Sequence, residues 1–95
     1  MQCGYVCIMS NRKHGTLYVG VTADIVRRAW EHRTGQAEGF TRRYGLKRLI
    51  WYERHDGIVP AIRREENIKG WPRTWKVRLI EKMNREWEDL YQTLF

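Results

Sequence analysis

Residues 18–32 change from a strand pattern to a helix pattern, and this change constrains the fold more than any other feature. Tyr18 and the valine after it favour a strand, and Gly20 permits a sharp turn or a close approach of backbone. Thr22 or Asp24 can accept hydrogen bonds from the free N–H groups at the start of a helix. We therefore predict a strand that breaks at Gly20 and a helix that begins near Asp24.

Helical periodicity places Arg28 and His32 beside the apolar face of this helix, at about 100° per residue. Arg27 and Glu31 fall on the opposite side, where they form an ordinary i, i+4 pair. An arginine and a histidine one turn apart, next to a strand tyrosine, are typical of half of a phosphodiester-cleaving site. The alternative is structural: both side chains border a buried face with their stems packed against it.

Length and charge limit the classes of protein to consider. Ninety-five residues are enough for one domain with a single small core. Lysine and arginine number 18 against 11 acidic residues, which gives a net charge of +7 and favours a polyanionic partner such as nucleic acid. The aromatic content of 13% among these arginines strengthens that expectation.

The cysteines indicate a reducing compartment, and the hydropathy indicates a protein that does not enter a membrane. Cys3 and Cys7 are four residues apart in a predicted strand, so their α-carbons would be about 13 Å apart, beyond disulfide reach. The sequence has no Cys/His spacing typical of zinc sites. It also has no long apolar segment and no cleavable leader, so we expect a cytoplasmic protein that does not enter a membrane.

The remaining pattern predicts an α+β domain, residues 1–95, with the order β-β-α-β-α-α. The predicted elements after the first helix are a loop over 34–45, a strand within 46–55, a helix from Pro60 to about Gly70, a helix over 73–83, and a last short helix. The apolar residues of that last helix are Trp87, Leu90, Tyr91 and Leu94. They pack internally or form a small dimer face, so a monomer or a weak dimer is expected.

The 34–45 loop combines basic and aromatic side chains. Arg42 and Arg43 lie between Phe40 and Tyr44, a composition that suits a grip on a nucleic-acid strand. A loop pinned by one buried aromatic side chain is the alternative.

Glu65 is predicted on the core face of the helix that starts at Pro60. The apolar stripe of this helix is formed by Ala61, Ile62 and Ile68, and helical periodicity places Glu65 between them. Burial of a carboxylate costs several kcal/mol unless it is paired or binds a metal. A salt bridge to Lys69 is one explanation. The other is a divalent-metal site, in which water and phosphate oxygens complete the coordination; Glu66 is the weaker candidate.

Taken together, Tyr18-Val19-Gly20, Arg28, His32 and Glu65 resemble the GIY-YIG nuclease superfamily, in particular its small standalone single-domain bacterial members. The resemblance covers essentially the whole chain. It implies a three-stranded antiparallel sheet flanked by helices and an endonuclease that hydrolyses DNA phosphodiester bonds, with RNA not excluded. It also implies a divalent cofactor, Mg²⁺ or Mn²⁺.

The resemblance assigns a role to each of these residues. Tyr18 would activate the attacking water or assist its deprotonation, and Arg28 would stabilise charge in the transition state. Glu65 would hold the metal, and His32 would orient water, phosphate or Tyr18. Further contacts to nucleic acid are expected from four basic residues: Arg27, Arg42, Arg43 and Lys69. A protein partner could supply specificity, since the chain has no appended recognition domain.

One position departs from the family pattern. Counting back from Tyr18 with the family's usual separation, the first motif falls on Tyr5-Val6-Cys7, so Cys7 stands where a tyrosine is expected. Tyr5 lies on the same strand face, but its hydroxyl would start about 6–7 Å away along the strand. The competing hypothesis is therefore a nucleic-acid-binding module with impaired catalysis on the same scaffold, and a protein-interaction domain is a third.

Overall fold

The computed structural model describes residues 3–36 and 39–95. Its elements are β1 (Gly4–Ser10), β2 (Leu17–Thr22), α1 (Ile25–Arg33), α2 (Phe40–Arg43), β3 (Arg48–His55), α3 (Ile58–Lys69), α4 (Arg73–Met83) and a final 3₁₀ turn (Tyr91–Leu94). The strands form an antiparallel sheet in the order β2-β1-β3. This α+β arrangement confirms the predicted order of strands and major helices. No helix in the described part of the chain is long and apolar enough to span a bilayer.

The central strand β1 sets the register of the whole sheet. Cys7 pairs with Gly20 on β2 and with Tyr52 on β3. The prediction that the strand breaks at Gly20 is wrong, because β2 continues to Thr22. A β-carbon at Gly20 would lie 2.9 Å from Cε2 of Tyr18. The glycine therefore makes room for the tyrosine ring instead of ending the strand.

One face of the sheet packs against α3 and α4 through apolar side chains. Val6 and Ile8 of β1 are fully buried there against Ala61 and Ile68 of α3 and Ile80 of α4. Ile62, which the periodicity assigned to the same stripe, is instead exposed. Ala61 and Ile68 already cover the sheet, and Ile62 lies one position around the helix from that contact.

The opposite face is covered by α1 and by the end of the chain. Cys7, Met9, Ile25, Ala29 and Leu49 are buried between this helix and the sheet. Partly buried side chains complete this layer: Tyr5, Tyr18, Val26, Tyr52, Leu90, Tyr91 and Leu94. Tyrosines therefore concentrate on this face, which is the face that also holds the predicted catalytic helix.

Two segments differ from the sequence prediction. The 34–45 loop contains the short helix α2, four residues long; Ala37, Glu38 and the side chain of Phe40 lie outside the described residues. Trp87 is not part of a last helix, since its φ is 57° and helical structure resumes only at Tyr91. Three hydrogen bonds stabilise this conformation of Trp87. Its backbone carbonyl accepts from Arg48 Nη2 at 2.6 Å, and its backbone N–H donates to the Asn84 carbonyl at 3.2 Å. Its indole Nε1 donates to Glu81 at 2.8 Å.

Candidate active site

The start of α1 is fixed immediately after β2, and this places the catalytic candidates of the helix. The side chain of Asp24 caps the helix by accepting a hydrogen bond from the Arg27 N–H at 3.0 Å. Thr22 Oγ1 in turn accepts from the Asp24 N–H at 3.0 Å. Both residues singled out in the sequence therefore act at this junction, and α1 begins as predicted.

His32 is buried on the inner face of α1, with only 3% of its surface exposed. Its Nδ1 lies 3.3 Å from the carbonyl oxygen of Leu46. Because a carbonyl only accepts, this contact assigns the proton of the neutral ring to Nδ1 and leaves Nε2 as an acceptor. Nε2 is itself buried and has no hydrogen-bond partner among the described residues.

Burial also determines the charge of His32. Desolvation lowers its pKa below the ordinary value; the hydrogen bond with Leu46 opposes this shift, and the positive charge of Arg28 adds to it. His32 is therefore neutral at pH 7. A neutral imidazole with an unengaged acceptor nitrogen is suited to receive a hydrogen bond from a ligand or a hydroxyl.

Tyr18 contacts His32 across the sheet–helix interface. The two ring centroids are 5.7 Å apart with an angle of 38° between the planes. The ring of Tyr18 also passes over Gly20, as described above. The tyrosine is half-buried, so part of its surface reaches solvent at the β2 edge of the sheet.

Cys7 is buried on the face of the sheet that α1 covers. Its burial raises the pKa of the thiol to about 12, and the positive charge of Arg28 opposes this shift while the negative charge of Glu65 adds to it. Since a thiol with this pKa is neutral at pH 7, Cys7 is not a base at that pH.

Arg28 extends outward from α1 and is partly exposed. Its Nε lies 3.8 Å from Oε1 of Glu31, and Nε of Arg27 lies 3.4 Å from Oε2 of the same carboxylate. The predicted pair between Arg27 and Glu31 is therefore confirmed, but Glu31 is shared with Arg28. Exposed ion pairs of this type are weak, so an anionic ligand could displace Glu31 from Arg28 at low cost.

Glu65 is 9% exposed, which confirms its predicted place on the core face of α3. Oε2 of Glu65 forms an ion pair with Nζ of Lys69 at 3.3 Å. The salt bridge that the sequence offered as one explanation for the burial is therefore present. Among the described residues, no three His, Cys, Asp or Glu side chains are grouped as a metal site. A single carboxylate nevertheless fits Mg²⁺, which retains several waters and takes further oxygens from substrate phosphate.

The four basic residues predicted to contact nucleic acid lie on three elements. Arg27 is exposed on α1, and Lys69 is exposed at the end of α3. Arg42 and Arg43 are exposed on α2, where the guanidinium of Arg43 lies 5.9 Å from the ring centre of Tyr44. The structure thus places Arg27 and Lys69 on the same helices as Arg28 and Glu65, and the other two on a separate helix.

Sequence reasoning missed the carbonyl of Leu46, which orients His32. No side-chain pattern could have identified it, because the contact uses a backbone atom 14 residues away. It also missed that Gly20, two residues after Tyr18, leaves room for the tyrosine ring. Strand alternation, which puts both residues on one face, was the available signal.

Comparison with known proteins adds independent information. The family model for the GIY-YIG catalytic domain matches residues 3–78. A UPF0213 protein of Natronomonas pharaonis is 37% identical over 76 residues, which are 80% of this chain and 88% of that protein. A UPF0213 protein of Staphylococcus saprophyticus is 34% identical over 70 residues, 74% of this chain and 85% of that protein. The solution structure of a UPF0213 protein from Bacillus halodurans is 30% identical, covers 92% of both chains and has a TM-score of 0.57.

Proposed function

Because this chain belongs to the GIY-YIG catalytic-domain family, we propose that it is an endonuclease that hydrolyses DNA phosphodiester bonds with Mg²⁺ or Mn²⁺. The nuclease-type function of the family and the net charge of +7 support this assignment. The observation that carries it is the contact of Tyr18 with the buried His32, whose ring centroids lie 5.7 Å apart across the sheet–helix interface. A strand tyrosine and a helix imidazole with a buried acceptor nitrogen therefore meet beside the helix that also carries Arg28.

Glu65 is the proposed metal ligand. Its carboxylate is buried on α3, and only Oε2 is engaged by Lys69. When bound, the cation supplies positive charge at the scissile phosphate and makes water a better nucleophile at neutral pH. Lys69 forms an ion pair with the carboxylate at 3.3 Å and can exchange it for a phosphate contact on the substrate.

Tyr18 and His32 are the proposed pair that handles the proton of the attacking water. The hydroxyl of Tyr18 assists the deprotonation, and the neutral Nε2 of His32 accepts a hydrogen bond from Tyr18 or from the water and can take up the released proton. Positioned acid–base groups typically contribute about 10²–10⁴ in rate. Cys7 takes no part in this step, because burial keeps its thiol protonated at neutral pH.

Arg28 is proposed to stabilise the negative charge that develops on the phosphate in the transition state. Removal of one such donor commonly lowers the rate about 10²–10³-fold. The partial exposure of Arg28 leaves its guanidinium accessible to substrate. Arg27, Arg42, Arg43 and Lys69 would contact the phosphates on either side of the cleaved bond.

A second candidate function rests on the replacement at Cys7. The fully buried thiol occupies the place of a motif tyrosine, and Tyr5 is two residues away on the same face. A chain with this replacement would retain nucleic-acid binding on the same scaffold with little or no cleavage. Its binding would weaken steeply with salt, as expected for phosphate contacts.

The experiment that tests the proposal compares the wild-type protein with Glu65→Ala and Glu66→Ala on duplex, branched and single-stranded DNA and on RNA, with Mg²⁺ or Mn²⁺. Glu66 is the matched control, since it is the exposed neighbour of Glu65 on the same helix. We expect cleavage by the wild type and by Glu66→Ala and its loss in Glu65→Ala. Continued cutting by highly purified Glu65→Ala protein contradicts the assigned site. Absence of cleavage on every substrate, together with salt-sensitive binding, favours the binding module.

A further inference from the structure

A shallow groove lies at the corner where α3 ends and α4 begins, and the residues assigned to the active site do not line it. Its volume is about 470 Å³, within the range of about 300–1,000 Å³ that is usual for ligand sites. The lining residues are Trp71, Trp75, Arg78, Leu79, Glu81 and Lys82. The groove thus combines two large aromatic rings with two cations and one acid.

The aromatic part of the groove is held in place but not buried. Trp71 and Trp75 meet edge to face, with ring centroids 6.0 Å apart and an interplanar angle of 69°. Trp71 is further fixed by the guanidinium of Arg64, 5.3 Å from its ring centre. Trp75 remains 51% exposed. A tryptophan that is oriented by neighbours and still half in water is a platform on which a flat ligand can stack.

The charges around the groove favour an anion. Among residues 3–36 and 39–95, neither Arg78 nor Lys82 forms a salt bridge. The single acid, Glu81, accepts a hydrogen bond from the buried indole of Trp87 at 2.8 Å, so its carboxylate is turned toward the core. The rim therefore presents two cations against one acid, a net positive charge, next to the exposed ring of Trp75.

A nucleotide matches both parts of this surface, because it combines a flat base with a phosphate. Stacking of bases on aromatic rings beside basic side chains is the general mode of single-strand binding. A second copy of this chain is a poorer match, since it also carries a charge of +7. An apolar peptide would leave the cations at the rim without partners.

We propose that this groove binds an unpaired nucleotide of a nucleic-acid strand, with the base stacked on Trp75 and a phosphate contacted by both Arg78 and Lys82. The inference deepens the proposed function, on which it rests for the identity of the substrate. Because α3 carries Glu65 and ends two residues before Trp71, the groove would hold a single-stranded segment that flanks the cleaved bond. The protein would then prefer branched, frayed or gapped DNA over intact duplex.

The test is the affinity for a short fluorescent oligothymidine and for a blunt duplex of the same length, measured by anisotropy without divalent metal. Trp75→Leu removes the aromatic ring but keeps an apolar side chain. It should weaken single-strand binding about tenfold and duplex binding less than twofold, since a stacked base contributes about 1–3 kcal/mol. Trp75→Tyr should restore most of the affinity. Trp30→Leu is the matched control, because Trp30 is 45% exposed outside the groove, and it should bind as wild type.

The charged rim gives a second readout. Lys82→Gln should lower the slope of log K against log salt by about 0.7 for single strands, the value for one phosphate contact. Lys47→Gln removes the same charge from an exposed position outside the groove and should leave the slope unchanged.

Several results would overturn the proposal. Unchanged single-strand affinity in a folded Trp75→Leu protein is one, and equal losses on single strand and duplex are another. If Trp75→Leu abolishes a dimer seen in sedimentation while oligonucleotide binding persists, the groove is an interface between copies. Failure of the proposed function shows separately, as absence of cleavage by the wild type, and does not affect this binding assay.

Discussion

The two faces of the central sheet are built for different purposes. On the α3 side, Val6 and Ile8 pack within a layer of buried apolar side chains. On the α1 side, the buried layer includes the imidazole of His32 and the thiol of Cys7, and partly buried tyrosines border it. A polar group costs free energy when it is buried unless it has a partner. On the α3 side, the buried carboxylate of Glu65 is paired with Lys69 at 3.3 Å.

The apolar face contributes mainly to stability, and the α1 face holds the groups proposed to act in catalysis. The apolar face can supply most of the burial energy because its side chains need no partners. The α1 face contains an unpartnered Nε2 on His32 within the described residues, an arrangement that folding alone does not favour. Substitutions on the two faces should therefore have different signatures.

The largest effect on stability is expected from the apolar face. Ile8 is fully buried, so Ile8→Ala should lower the free energy of unfolding by about 2–5 kcal/mol, measured by urea denaturation. The protein that remains folded should bind DNA as wild type does. Val59→Ala, at an exposed position of α3, should change the unfolding energy by less than about 0.5 kcal/mol. A loss below 1 kcal/mol for Ile8→Ala would remove the distinction between the faces.

The α1 face should show a pH dependence that arises from His32. Burial lowers the pKa of His32 in the folded state, so the unfolded chain binds the proton first as pH falls. Stability should therefore decrease between about pH 7 and pH 5, with a slope of at most about 1.4 kcal/mol per pH unit for one proton. His32→Gln should reduce this slope, which is measured by thermal unfolding at several pH values. An identical slope in both proteins would mean that His32 titrates normally.

The smallest effect is expected at the start of α1. Asp24→Ala removes the cap that accepts from the Arg27 N–H and should cost about 1 kcal/mol. Hydrogen exchange should speed up at the first amides of α1 and stay unchanged in α3. Faster exchange throughout the protein would show that the loss is global, and that α1 is not an independent element.

Local signals were sufficient for most of the fold. The strand-to-helix change, the cap at Asp24, Pro60 and the apolar periodicities each depend on near neighbours, and α1, α3 and α4 follow them closely. Trp87 was misplaced because its positive φ is stabilised by Arg48 and Asn84, which are distant or irregular contacts that periodicity does not encode.

The candidate site was predictable in its side chains but not in their arrangement. The burial of Glu65 followed from helical spacing, and its salt bridge to Lys69 was one of two explanations considered. The tautomer of His32 depends on the backbone of Leu46, and the neutral state of Cys7 depends on complete burial. Both are properties of packing across the sheet, which one sequence does not specify.

The central claim is that Tyr18, placed beside a neutral His32, supplies the hydroxyl for water activation where Cys7 cannot. The most direct measurement is the single-turnover cleavage rate of Tyr18→Phe and Tyr5→Phe, with both variants shown to be folded by circular dichroism. We expect Tyr18→Phe to lose at least about 100-fold and Tyr5→Phe to stay within about threefold of the wild type. A Tyr18→Phe protein that cleaves at the wild-type rate, or a loss confined to Tyr5→Phe, would contradict the claim.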